Sequence, residues 1–218
     1  MTSERSVLDC PYCGVPFAEM PKRKRKCPAC KQAVYIKYTP TDAIKRLMTE
    51  STAEEVDRLW AVHSARKQSL QLLHPFGFGE RELEQWISMG NTESQAVDLL
   101  ITGVAKNCPD LHQKKMAYLH LALRADEAGK AYRDYLIEAR RCELLRLKQS
   151  SVKKVEIMTS GPGRACAHCK PLNGNVWDID EALTAMPLPH PKCTGVMFSN
   201  VGGFCACQYV PDISHLGA

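Results

Sequence analysis

The spacing of apolar positions changes period along the chain, and each change marks an element. Residues 33–40, Ala-Val-Tyr-Ile-Lys-Tyr-Thr-Pro, alternate and are rich in β-branched and aromatic side chains, which predicts a strand. From Ser51 the spacing becomes helical. Two overlapping capping boxes, Ser51/Glu54 and Thr52/Glu55, precede Val56, Leu59, Trp60 and His63. His74-Pro75 and the adjoining Phe-Gly-Phe-Gly end that helix. A second helix is predicted with Leu83, Trp86 and Ile87 on one face, stopped at Gly90 or Asn91. A third carries Ala96, Val97, Leu100, Ile101 and Val104, and Asn107-Cys108-Pro109 breaks it. Asp110 is placed to cap a fourth.

Residues 111–149 are strongly helix-forming, with Gly129 as the weak point. Leu119, Ala122, Leu123, Ala131, Tyr132, Tyr135, Leu136, Ala139, Cys142 and Leu145 make an apolar stripe that is expected to be core. After residue 150 the period of two returns. Val152, Val155 and Ile157 predict a strand, turned by Ser160-Gly161-Pro162-Gly163. Asn173-Gly174 is a favoured hairpin turn, Asn-Val-Trp-Asp-Ile is the return strand, and Asp178 or Asp180 can cap a short helix over 181–186. The class these elements predict is α+β, in three parts: 1–40, a mostly helical 41–150, and a small α+β segment 151–218.

Charge separates these parts. Residues 1–40 hold eight Lys/Arg against three Asp/Glu, which accounts for the whole formal charge of +5; residues 41–150 and 151–218 are balanced. Only the first part is therefore suited to a polyanion. Its cations concentrate in the run Lys22, Arg23, Lys24, Arg25 and Lys26, which contains no aromatic residue for base stacking. No apolar run approaches the roughly 18 residues of a membrane span. The first ten residues lack the apolar centre of a secretory leader, so a cytoplasmic, reducing setting is expected.

In such a setting clustered cysteines imply metal. Four of the eleven lie in 10–30 and five in 166–207. Cys10-x-x-Cys13 and Cys27-x-x-Cys30 are two knuckles that can place four thiolates around one tetrahedral zinc ion, leaving no open position. The unit resembles a zinc ribbon, and its site is structural. In the second cluster, Cys166-x-x-Cys169 and Cys193 are joined by Cys205, Cys207 or His190 as the fourth ligand of a second structural zinc. Residues two apart in a strand share a face, so periodicity does not separate Cys205 from Cys207. His168, inside the knuckle, is expected to point to solvent.

Cys-x-x-Cys, Leu-x-Gly, an aromatic residue, Pro-x-His-Pro-x-Cys and a final Cys-x-Cys, over about 150–210, resemble the C-terminal domain of the phage head-morphogenesis family. This is the minor head protein family that includes the phage Mu F-like proteins. By position the resemblance puts metal ligands on Cys166, Cys169, His190 or Cys193, and the Cys205–Cys207 pair. In this chain Thr-Gly-Val-Met-Phe-Ser-Asn-Val-Gly-Gly-Phe separates Cys193 from the Cys-x-Cys. The resemblance implies a zinc-stabilised assembly or interaction module, phage-related and virion-associated.

Enzymatic motifs are missing. No His is followed two residues later by Glu, as a zinc deaminase requires. No glycine-rich loop carries the Lys-Ser/Thr of a phosphate cradle. A zinc-dependent nuclease would need a second histidine working with His190, and the sequence places only His215, near the tail, in that role. The expectation is a non-enzymatic protein with two zinc ions, no catalytic residues and a protein partner. A nucleic-acid-binding regulator using the basic run is the alternative.

Overall fold

The computed structural model describes residues 8–42, 44–160, 165–193 and 207–213. It is α+β, with two small three-stranded sheets and six α-helices among those residues. The chain divides into two compact units, Met1–Leu72 and Leu73–Ala218.

The first unit opens with two turns of like construction. Gly14 N–H donates to the Cys10 carbonyl (2.9 Å) and Cys10 N–H to the Val15 carbonyl (3.0 Å); Lys31 N–H donates to Cys27 (3.0 Å) and Cys27 N–H to Gln32 (2.8 Å). The residue after each second cysteine is left-handed, Gly14 at φ 74° and Lys31 at φ 62°. Glycine takes that conformation without strain, whereas the Cβ of Lys31 makes it costly there. Strand β1 (Arg25–Lys26) leaves the basic run and pairs antiparallel with β2 (Ala33–Lys37), which pairs with β3 (Arg46–Met48). Cys10, Phe17, Cys27, Val34 and Leu47 form the buried core of this unit.

Helix α1 (Glu50–Leu73) starts one residue before the first predicted box. Thr49 takes the cap instead, its hydroxyl accepting the Thr52 N–H at 3.2 Å. Ala53 and Val56 are buried with Met48 and pack on Tyr35 and Trp60.

The second unit begins with the 3₁₀ turn His74–Phe76, where Pro75 ends α1 as expected. Helices α2 (Glu80–Ser88) and α3 (Glu93–Asn107) come next. The predicted face of α3 is buried in full. Helix α4 (Leu111–Glu127) is capped by Asp110, whose carboxylate accepts the N–H groups of His112 (2.8 Å) and Gln113 (2.9 Å). Gly129, at φ 65°, turns the chain into α5 (Arg133–Gln149). The weak point of the long helical stretch is thus a hairpin, with Ala122 and Leu136 buried together. Ala131 and Tyr135, counted in the predicted stripe, are exposed. Arg140, Glu143, Leu144 and Leu147 take the buried face of α5 with Leu136, Ala139 and Cys142.

The second sheet has the order β5-β4-β6, from β4 (Lys154–Met158), β5 (Val176–Asp178) and β6 (Gln208–Pro211). The turn at Gly174 (φ 80°) closes β4 onto β5, and Asp178 caps α6 (Ile179–Ala185) by accepting the Asp180 N–H at 2.9 Å. No packing break falls at residue 150. Leu144 and Leu147 of α5 lie in one buried cluster with Val155, Ile157, Cys169, Ile179, Leu188, Cys207 and Tyr209. Burying each such side chain contributes about 1.5–3 kcal/mol, so the helical hairpin and the second sheet stabilise each other.

Candidate metal centres

Cys10, Cys13, Cys27 and Cys30 bring their sulfurs within 4.8 Å of one another. Four thiolates at about 2.3 Å from one tetrahedral ion stand about 3.8 Å apart. The observed Cys10–Cys30 and Cys13–Cys27 separations are 3.7 and 3.8 Å. Cys10 and Cys27 are fully buried and Cys13 is exposed, so the site is closed on the core side and rimmed by solvent. Backbone amides favour the thiolate at Cys27. The Cys30 amide, against burial and with help from Ala29, Cys10 and Cys30, lowers the Cys27 thiol to about 6. The Gln32 amide favours a Cys30 thiolate too, but burial and the thiols of Cys13, Cys27 and Cys10 push it up to about 12. Four thiolates without a cation repel each other, and one divalent ion removes that repulsion.

The second group joins Cys166, Cys169 and Cys193, again within 4.8 Å, with Cys193 at 3.6 Å from Cys166 and 3.5 Å from Cys169. The knuckle is tied by Cys169 N–H and Lys170 N–H, both donating to the Cys166 carbonyl at 3.0 Å, and it runs directly into the 3₁₀ turn Lys170–Leu172. Burial first, then the neighbouring thiols of Cys166, Cys193 and Cys207, raises the Cys169 thiol. Cys207 is buried in the same cluster as Cys169 and affects it electrostatically, although its sulfur is outside the three-sulfur group. Cys205 lies outside the described residues. His190 is not in the group either; its Nδ1 accepts the Lys192 N–H at 3.1 Å.

His168 does more than face water. Its exposed ring stacks on that of His190, with centroids 5.4 Å apart and planes within 2°. The histidine seen beside His190 is the one inside the knuckle, 22 residues earlier in the chain, and His215 lies outside the described residues.

Side chains of α5 hold the segments that carry this group. Arg133 donates to the carbonyls of Pro189 (2.9 Å), His190 (3.1 Å) and Pro191 (2.9 Å), fixing the loop before Cys193. Glu143 accepts from the Tyr209 amide (3.5 Å), and the Tyr209 hydroxyl accepts the Leu188 N–H (3.0 Å). Arg141 reaches the Leu183 carbonyl at 3.4 Å, and Lys148 pairs with Asp180. Sequence reading missed all four anchors, because a charged residue on a long helix reads as solvent-facing. A cavity of about 270 Å³, lined by Lys130, Tyr132, Arg133, Leu136, Pro191 and Cys193 among others, adjoins the group.

The five cations of the basic run are all exposed. Lys24 donates to the Tyr35 hydroxyl and lies 4.1 Å from that ring's centre; Arg25 sits 5.8 Å from the Phe17 ring.

Sulfur donors suit zinc and iron alike, so the four-sulfur and three-sulfur groups define two candidate metal centres without naming the metal. No helix among the described residues is long and apolar enough to cross a membrane. Set against known proteins, the chain matches no family model, no curated protein and no solved structure.

Proposed function

We propose that this is a non-enzymatic, zinc-stabilised binding protein that works through protein–protein contacts in a phage-related assembly. It combines an N-terminal zinc ribbon with a C-terminal zinc-bearing module. The observation that carries the reading is the convergence of Cys166, Cys169 and Cys193, with Cys207 buried beside them, in the segment that resembles the head-morphogenesis domain. Four thiolates fill a tetrahedral shell and leave no place for substrate or water, which makes the N-terminal centre structural; on this reading a fourth protein ligand, Cys207 or another of the candidates, closes the second in the same way. Folding free energy of order 10 kcal/mol from each structural zinc would be decisive for units this small.

Two measurements test the proposal. Elemental analysis of protein purified under reducing, chelator-free conditions should return two zinc ions per chain. Crosslinking and mass spectrometry in producing cells should then link the protein to structural proteins of a particle. Iron in place of zinc, fewer than two ions, or a chain that crosslinks to no particle protein would refute it.

A further inference from the structure

We propose that the N-terminal unit carries a binding site for single-stranded nucleic acid, built from the cations of 22–26 and the tyrosines Tyr12 and Tyr35. This is a second function, independent of the assembly role.

The first support is where charge remains. Residues 1–72 contain thirteen Lys/Arg and eight Asp/Glu, and residues 73–218 sixteen of each, so the excess of +5 lies wholly in this unit. Several of its cations are already neutralised: Lys37 pairs with Asp57, Arg46 with Asp42, and Arg58 with Glu55. Lys22, Arg23, Arg25 and Lys26 have no carboxylate partner among the described residues. They are exposed, and β1 is an edge strand whose one partner is β2.

The second support is aromatic. The basic run has no ring of its own, but the sheet supplies them. The register Arg25↔Val34 and Lys26↔Ala33 continues to bring Lys24 opposite Tyr35, where its ammonium lies over the ring. Tyr35 donates its hydroxyl to Glu50, and the Tyr12 hydroxyl accepts the Glu50 N–H at 3.3 Å. Both rings are thus anchored by their polar tips to the first turn of α1, with Lys24 of the basic run over Tyr35. Tyr12 remains 43% exposed. Rings held in place lose little freedom when a base stacks on them.

A cationic edge that includes Lys24 held on Tyr35, together with the fixed and accessible ring of Tyr12, fits a strand whose bases are unpaired. A duplex hides the faces of its bases, and an acidic peptide gains nothing from the rings.

The test uses the metal-loaded full chain and fluorescence anisotropy with three labelled probes: a 20-nucleotide oligo-dT, a duplex of the same length and a 20-residue polyglutamate. The single strand should bind tightest. Its log–log salt slope should be about −3, from four phosphate contacts at about −0.7 each. Lys22→Gln and Lys26→Gln should each reduce that slope by about 0.7. Tyr12→Ala should weaken the single strand roughly ten-fold with the slope unchanged, while Tyr12→Phe keeps most of the affinity. Metal content, measured on every variant, confirms an intact fold. Polyglutamate binding as tightly as oligo-dT would assign the surface to an acidic protein and overturn the proposal. So would no binding at 50 mM salt, or a Tyr12→Ala protein with wild-type affinity.

Discussion

Glu143→Gln is the substitution that most directly tests how the second unit is held together. The Glu143 side chain is 5% exposed and faces two cations, Arg140 at 2.9 Å (7% exposed) and Lys115, and it also accepts from the Tyr209 amide. Glutamine keeps the shape and removes the charge, which takes the Glu143 carboxylate away from buried Arg140 and from Lys115. Breaking a buried pair in this way costs about 3–5 kcal/mol, a large share of a typical net stability of about 5–15 kcal/mol. With a urea m-value of about 1–3 kcal/mol/M, the unfolding midpoint, followed by circular dichroism at 222 nm, should fall by about 2 M.

The acid dependence supplies a second check. Burial opposes ionisation of Glu143, but the charges of Arg140 and Lys115 outweigh it and hold the carboxyl below its usual 4.5. A lowered folded-state pKa contributes stability that is complete above 4.5 and is lost as pH falls through the folded value. The gap between wild type and Glu143→Gln should therefore be widest near neutrality and close in acid. A midpoint unchanged at pH 7, or a gap that persists once the carboxyl is protonated, would refute the reasoning.

Two further outcomes are expected. Asp110→Ala should cost about 1 kcal/mol by denaturant titration; because the Gln113 and His112 amides hold the Asp110 carboxyl below 3.8, that cost should vanish as acid protonates the wild type. A fragment comprising 151–218 should stay unfolded by heteronuclear NMR even with excess zinc, since Leu144 and Leu147 of its core are missing, whereas a fragment starting at residue 73 should fold.

Local chemistry was legible in the sequence wherever one segment determines its own conformation. The α3 face, the Asp110 cap, the choice of Asp178 or Asp180 as the later cap, the Asn173-Gly174 turn and the Cys10–Cys30 knuckles were all readable, because each depends on residues a few positions apart. What escaped depends on pairing between distant segments. Arg140 and Glu143 look like surface residues until Lys115, 28 positions away from Glu143, is seen to reach the carboxylate. His168 and His190 meet across 22 positions, next to a loop of 189–191 that Arg133 ties down. Tyr35 meets Lys24 across the sheet and Tyr12 meets Glu50 from the knuckle, so a search for rings within the run finds none. The fourth ligand of the second centre also stays open between Cys207 and the other candidates. Its choice rests on how far-apart segments close, and spacing is silent on that.

The sheet order β5-β4-β6 also sets a timetable for folding. The α4–α5 hairpin and the β4–β5 turn close short loops, whereas β6 must find β4 across the 50 positions from Met158 to Gln208. Short loops close at small entropic cost and long ones lag, so non-local pairing is the slow event. Cys207 then reaches Cys169 only after the helices have formed and Cys166 has met it across the knuckle. A metal ion captured early by those first sulfurs would tether one end of the missing strand's landing site and shorten the search. On this account the ion acts as an accelerator of assembly as well as a clamp on the finished structure. Refolding of the second unit should then quicken with added metal, alongside the gain in its final stability.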